Sequence, residues 1–137
     1  MPPVYLTTHF KFDELCCKDG CGLIPAEEFL FHLEALRVTV GHPMTITSGA
    51  RCAWHNQRVA KTGATGPHVP QAAYPDYGAV DFLVHGAAAL DFLRLGPDQG
   101  WFGYGLQQAG PLGARWMHAD NWKPGLFPRP ALWTYRE

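Results

Sequence analysis

The sequence lacks any imbalance of charge. Lys and Arg total 11 against 12 Asp and Glu, a formal net charge of -1. No global field therefore draws the chain to nucleic acid or to an anionic membrane surface, and neither is expected as a partner. No stretch approaches the roughly 20 apolar residues that a bilayer-spanning helix needs. The opening Met1-Pro2-Pro3-Val4-Tyr5-Leu6 has no basic segment followed by an apolar core. The expectation is a protein made in the cytoplasm without a signal peptide and not inserted in a membrane. Internal repeats, low-complexity tracts and charge blocks are also missing, and Gly and Pro are spread without a linker-like concentration. One domain over residues 1–137 is the expected organisation.

Cysteine is sparse and oddly placed. Cys16, Cys17 and Cys21 crowd together, Cys52 stands apart, and no CxxC pair is present. The crowding suits neither a disulfide scaffold nor a clean zinc knuckle. The first reading is reduced, partly buried thiols, with a second structural metal or a Cys52 disulfide as the alternatives.

What the chain does have is apolar residues, 47% of the total, with 13% aromatic, enough for one well-supplied core. Pro25 precedes a run in which Phe29, Leu33, Leu36 and Val40 recur at helical spacing until Gly41 stops it. Pro43–Ser48 alternates as a strand and leads through Gly49 into a turn presenting Arg51. A short helix is expected from Trp54 to Ala60, then loop from Lys61 to Gly78. Ala79–His85 is the clearest strand, Ala87–Leu95 a helix, and Phe102–Gln108 and Arg115–Asp120 further strands. This order predicts an α+β fold, a small single domain with helices packed on a mostly antiparallel sheet.

Three polar intrusions carry the chemistry. Asp81 lies inside the apolar run 79–84, where an ionised carboxylate is costly unless a metal, a cation or several donors face it. Alternation puts Ala79, Asp81 and Leu83 on one face and Val80, Phe82 and Val84 on the other. His118 and Asp120, two apart in Trp116-Met117-His118-Ala119-Asp120, share a strand face. His68 lies in the loop entering the Asp81 strand. Together, His68, Asp81 and His118 supply the two nitrogens and one oxygen of a catalytic zinc site with a fourth position open. Singly, each has an ordinary reading: a surface histidine, an arginine partner, a satisfied core histidine. His55, following Trp54, reads as packing at the start of a short helix, and His9, His32, His42 and His85 show no partnered spacing. Trp101, Phe102, Tyr104 and Trp116 read as core or cleft wall rather than as substrate contacts.

The wider pattern resembles the M15 peptidase family, the zinc D-Ala-D-Ala carboxypeptidases and related phage endolysins. His9-Phe10-Lys11-Phe12-Asp13-Glu14-Leu15 and Cys17-Lys18-Asp19-Gly20-Cys21-Gly22 are similar to the family's opening segment. Leu33-Glu34-Ala35-Leu36-Arg37 and the block from Gly41 to Cys52, with His55-Asn56 after it, are similar to its central block. The resemblance implies a hedgehog/D-Ala-D-Ala peptidase-like fold and Zn2+ held by His68, Asp81 and His118, the first two from an SxHxxGxAxD motif. It also implies that Arg51 binds a substrate carboxylate or the oxyanion. The acid that family members place three residues before the last histidine is Arg115 here, which makes Asp120 the substitute general base, with orientation of a ligand imidazole as its other role. Two further departures stand out. Residues 69–80 make a longer spacer than the motif allows, and Gly66 and Tyr77 replace the motif's Ser and Gly.

The expected activity is hydrolysis of peptidoglycan stem or cross-link peptides by a monomer that reaches the wall after lysis-system release or as a virion component. The rival reading is a virion or tail structural protein, or a wall-binding module, that keeps the fold without cleaving. A metal-free structural domain is the third.

Overall fold

In a computed structural model, residues 2–135 are described. A short helix α1 (Phe12–Leu15) follows the N-terminal arm, and α2 (Glu27–Val40) is the long helix of the fold. Its apolar residues Phe29, Leu30, Leu33, Leu36 and Val40 are buried as the periodicity requires. Gly41 ends it in the left-handed conformation at φ 77°, its N–H on the Arg37 carbonyl, a role glycine takes without a Cβ penalty. Then come β1 (Thr45–Ser48), α3 (Ala53–Val59), β2 (Ala79–Leu83), α4 (Gly86–Leu95), β3 (Gly103–Gln107), β4 (Trp116–Asp120) and β5 (Ala131–Thr134).

The five strands form one sheet in the order β1-β2-β4-β3-β5, antiparallel except for the β3–β5 pair. The expected α+β architecture is therefore observed. β5 was not anticipated. It has four residues, follows Pro128 and Pro130, and sits at the sheet edge, where alternation is weak and proline is tolerated.

The two faces of the sheet do different work. Val80 and Phe82 of β2, Met117 and Ala119 of β4 and Tyr104 of β3 join the buried residues of α2 and Phe92 of α4 in one apolar cluster. Phe82 and Phe92 meet edge to face at 4.8 Å. The opposite face carries, at its centre, the cross-sheet row Ser48–Asp81–His118–Gly105–Trp133, in direct register. A bulge between Ile46 and Ser48 brings Ser48, rather than Thr47, opposite Asp81. Among the described residues no helix is long and apolar enough to cross a membrane.

Candidate metal centre

The register row already places Asp81 beside His118. His68 arrives from the loop before β2, anchored where the Arg51 N–H donates to the His68 carbonyl at 2.9 Å. That anchor lies in a turn set by Gly49, which packs so closely on α1 that a Cβ would stand 2.6 Å from the Leu15 carbonyl oxygen.

The far nitrogen fixes the tautomer of each imidazole. His68 Nδ1 lies 2.7 Å from the Gly49 carbonyl oxygen, which only accepts, so Nδ1 carries the proton. His118 Nε2 lies 2.8 Å from Asp120 Oδ2 and carries its proton for the same reason. The remaining nitrogens, His68 Nε2 and His118 Nδ1, therefore present lone pairs. They are 3.2 Å apart and stand 3.2 and 3.0 Å from Asp81 Oδ1. Three acceptors thus converge on one point. An added proton satisfies one edge of that triangle, whereas a cation satisfies all three. Ligand atoms on a tetrahedral zinc at about 2.0–2.1 Å stand about 3.3 Å apart, close to the spacing observed.

The ionisation of Asp81 and His68 suits ligation, whereas that of His118 favours a proton that a metal would have to displace. Burial would raise Asp81, but His68 and His118 outweigh it and hold the carboxyl well below the usual carboxylate range. Burial pulls the His68 imidazole down, favouring its neutral form. Burial acts likewise on His118, but hydrogen bonds to Asp120 and Asp81 prevail and hold that ring above its ordinary value.

Arg51 touches the cluster. Its Nη2 donates to Asp81 Oδ2 at 3.2 Å, its Nε to Ser48 Oγ at 3.1 Å and its Nη1 to Asn56 Oδ1 at 3.2 Å. The guanidinium therefore turns Asp81 so that Oδ1 faces the two imidazoles. Two of its five N–H groups remain free of these bonds. Asn56, buried on α3, also ties down the approach to His68, its Nδ2 lying 2.7 Å from the Gly63 carbonyl and 2.8 Å from that of Thr65. Gly66, where the motif has Ser, adopts φ 139°, and a Cβ would lie 2.6 Å from Thr62 Oγ1. A serine there would be strained.

Of the two roles expected for Asp120, its geometry favours orientation of the His118 imidazole over that of general base. It lies behind His118, with none of its surface exposed. Its oxygens are taken by His118 Nε2, by Arg129 Nε at 2.9 Å and Nη2 at 2.7 Å, and by the Trp122 N–H at 3.3 Å. Burial would raise its pKa, but His118 and Arg129 hold it down. Its placement is that of a group orienting a ligand imidazole. Arg115 points elsewhere, its Nε on the Gly110 carbonyl.

The sequence reading missed Arg129, Trp133 and Asn121. Arg129 clamps Asp120 from outside the sheet, and Trp133 lies against His118 at 5.2 Å between ring centroids. Gly103 and Gly105 make room for them. A Cβ at 103 would meet the Asp120 carboxylate at 2.3 Å, and one at 105 would meet Trp133 Nε1 at 2.4 Å. Two glycines on one strand face were the available signal for such close approach. Asn121 accepts from the Gly78 N–H and donates to the Asp76 carbonyl and to His32 Nδ1, fastening the end of the loop to α2. The loop is further packed by Tyr74 stacked on Tyr77, with Phe127 edge-on to both. Among the other histidines, His9 and His42 pair with Glu34 and Asp91. Trp101 and Tyr104 are core, as expected.

Fold and site together define a small α+β protein with a cluster of two histidines and an aspartate that could hold a metal ion. A family model described as Peptidase M15 matches residues 5–120, which include the whole cluster. The chain belongs to the M15 peptidase family and is a peptidase by that membership. No curated protein and no solved structure matches it.

Proposed function

We propose that the chain is a zinc-dependent peptidase that hydrolyses stem or cross-link peptides of bacterial peptidoglycan, with Zn2+ held by His68 Nε2, Asp81 Oδ1 and His118 Nδ1. The carrying observation is the triangle of two imidazole nitrogens and one carboxylate oxygen 3.0–3.2 Å apart. When bound there, zinc supplies Lewis acidity toward a peptide carbonyl and makes water nucleophilic near neutral pH.

The protein's own residues do the rest. Asp120 and Arg129 hold the His118 ring in its ligating tautomer, and the Gly49 carbonyl does so for His68. Arg51 holds Asp81. The Asp81 and Arg51 side chains are the more open members of the centre, 12% and 15% exposed against 5% for each histidine. Substrate therefore approaches along that rim, where the two free Arg51 N–H groups can take a peptide carboxylate or a developing oxyanion. A chain of near-zero net charge suits the mixed charges of wall peptides. The protein acts as a monomer and reaches the wall by release during lysis or as a virion component.

One observation favours a second reading, a wall-binding module or a virion or tail component that holds zinc without cleaving. Neither Asp120 nor Arg115 offers a free carboxylate to take the proton of the attacking water. The two readings separate in one experiment. Elemental zinc is measured for wild type and His118→Ala, alongside turbidity of outer-membrane-permeabilised bacteria. The peptidase predicts one zinc fewer in the variant and clearing by wild type alone. Zinc loss without clearing by wild type selects the binding module, and unchanged zinc in the variant removes His118 from the site.

A further inference from the structure

A second group of ligating side chains lies apart from the first. The ligand atoms of Cys17, Asp19, Cys21 and Cys52 all fall within 4.8 Å of one another. The first three come from one loop, closed where the Cys17 N–H donates to the Leu23 carbonyl at 2.8 Å. Gly20 at φ 87° and Gly22 at φ 80° flank Cys21 in a backbone region that other residues rarely adopt. This tight turn folds Asp19 and Cys21 back toward Cys17. Cys52 comes from the turn after the sheet's first strand, at the start of α3, and brings into one group the structural-metal alternative left open by the sequence.

We propose that these four residues form a second, structural zinc site of three thiolates and one carboxylate, independent of the peptidase centre. Five distances carry it. Cys17 Sγ and Cys52 Sγ are 3.9 Å apart, and two sulfurs on a tetrahedral zinc at about 2.3 Å stand about 3.8 Å apart. Asp19 Oδ1 accepts from the Cys21 N–H at 2.9 Å, which leaves Oδ2 aimed at Cys52 Sγ, 3.0 Å away. Two backbone donors point at the sulfurs, the Cys52 N–H to Cys17 Sγ and the His55 N–H to Cys52 Sγ, both at 3.4 Å. Such donors stabilise thiolates, and three thiolates with a fourth ligand closing the shell match the coordination of structural zinc, a carboxylate here standing where a fourth Cys or a His is usual. With no position left for water, the site holds shape and does no chemistry.

Its place in the fold gives it a task. Cys52 follows Arg51 directly and caps α3, which carries Asn56. Zinc here clamps the N-terminal loop to the turn that holds Arg51 against Asp81.

The test is metal stoichiometry of the full chain, loaded with zinc under reducing conditions and then desalted. Wild type is expected to retain two zinc ions, and Cys21→Ser, at an exposed position, one. His118→Ala is expected to lose the other ion and keep this one. Cobalt substitution of unaltered wild type should give the strong near-ultraviolet thiolate-to-cobalt band, and that band should survive in His118→Ala. Equal zinc in wild type and Cys21→Ser, or cobalt-loaded wild type without a thiolate band, overturns the second site and leaves the peptidase centre standing. Unchanged zinc in His118→Ala with loss in Cys21→Ser does the reverse.

Discussion

At the scale of single residues, the proposed zinc centre would depend on groups that do not touch the metal. Asp120 is a buried carboxylate answered by one imidazole and a two-pronged guanidinium. Breaking such a pair is costly because it strands a charge in a poor solvent for it. Arg129→Ala should therefore lower the unfolding free energy by about 3 kcal/mol in urea denaturation. With His118 less well oriented, zinc affinity should also fall by about 10- to 100-fold in chelator competition. A variant with wild-type stability and wild-type zinc affinity would show that the clamp contributes neither. Arg129 was not legible in the sequence because its partner is a carboxylate nine positions earlier, reached by a proline-containing turn with no periodicity. Asp81 stood out because it interrupts an apolar strand, whereas His68 and His118 have ordinary readings singly and were singled out by the resemblance to the M15 pattern.

At the scale of elements, helices and strands with strong periodicity stand where the pattern puts them, and the misses are the short ones. α1 has four residues and β5 has four, too few for a 3.6- or 2-residue period to declare itself. Their places are fixed by long-range contacts instead. α1 is seated by the close approach of Gly49 to Leu15, and the arm before it by Glu34 of α2. Glu34 accepts from Thr7 Oγ1 at 2.6 Å and from the His9 N–H at 2.9 Å, and it pairs with the His9 ring. Burial would raise this carboxyl, but those bonds outweigh it and hold it below the ordinary 4.5. A depressed carboxylate contributes stability that is present above the ordinary value and lost as pH falls through the lowered one. The stability difference between wild type and Glu34→Gln should thus be largest near neutral pH and shrink as the pH falls below the ordinary carboxylate range, followed by urea midpoints. A difference that does not change with pH would mean that ionised Glu34 does not hold the arm.

At the scale of the whole molecule, one sheet separates two environments. The helices take its apolar face, and the other face is left for a row that runs Ser48, Asp81, His118, Gly105 and Trp133. The alternation of β2 and β4 made this division readable in advance, since a two-residue period assigns faces without any knowledge of partners. Strand order and the β1 bulge were not readable, because they depend on which strands meet. Nor was the gathering of Cys52 with Cys17 and Cys21, which needs the β1 turn to return beside α1. The central claim is that His68, Asp81 and His118 hold one metal ion, and a crystal of zinc-loaded protein examined by anomalous scattering at the zinc edge tests it most directly. The account predicts a peak bonded to His68 Nε2, Asp81 Oδ1 and His118 Nδ1. A map with no peak among those three atoms, whatever it shows at the cysteines, would contradict it.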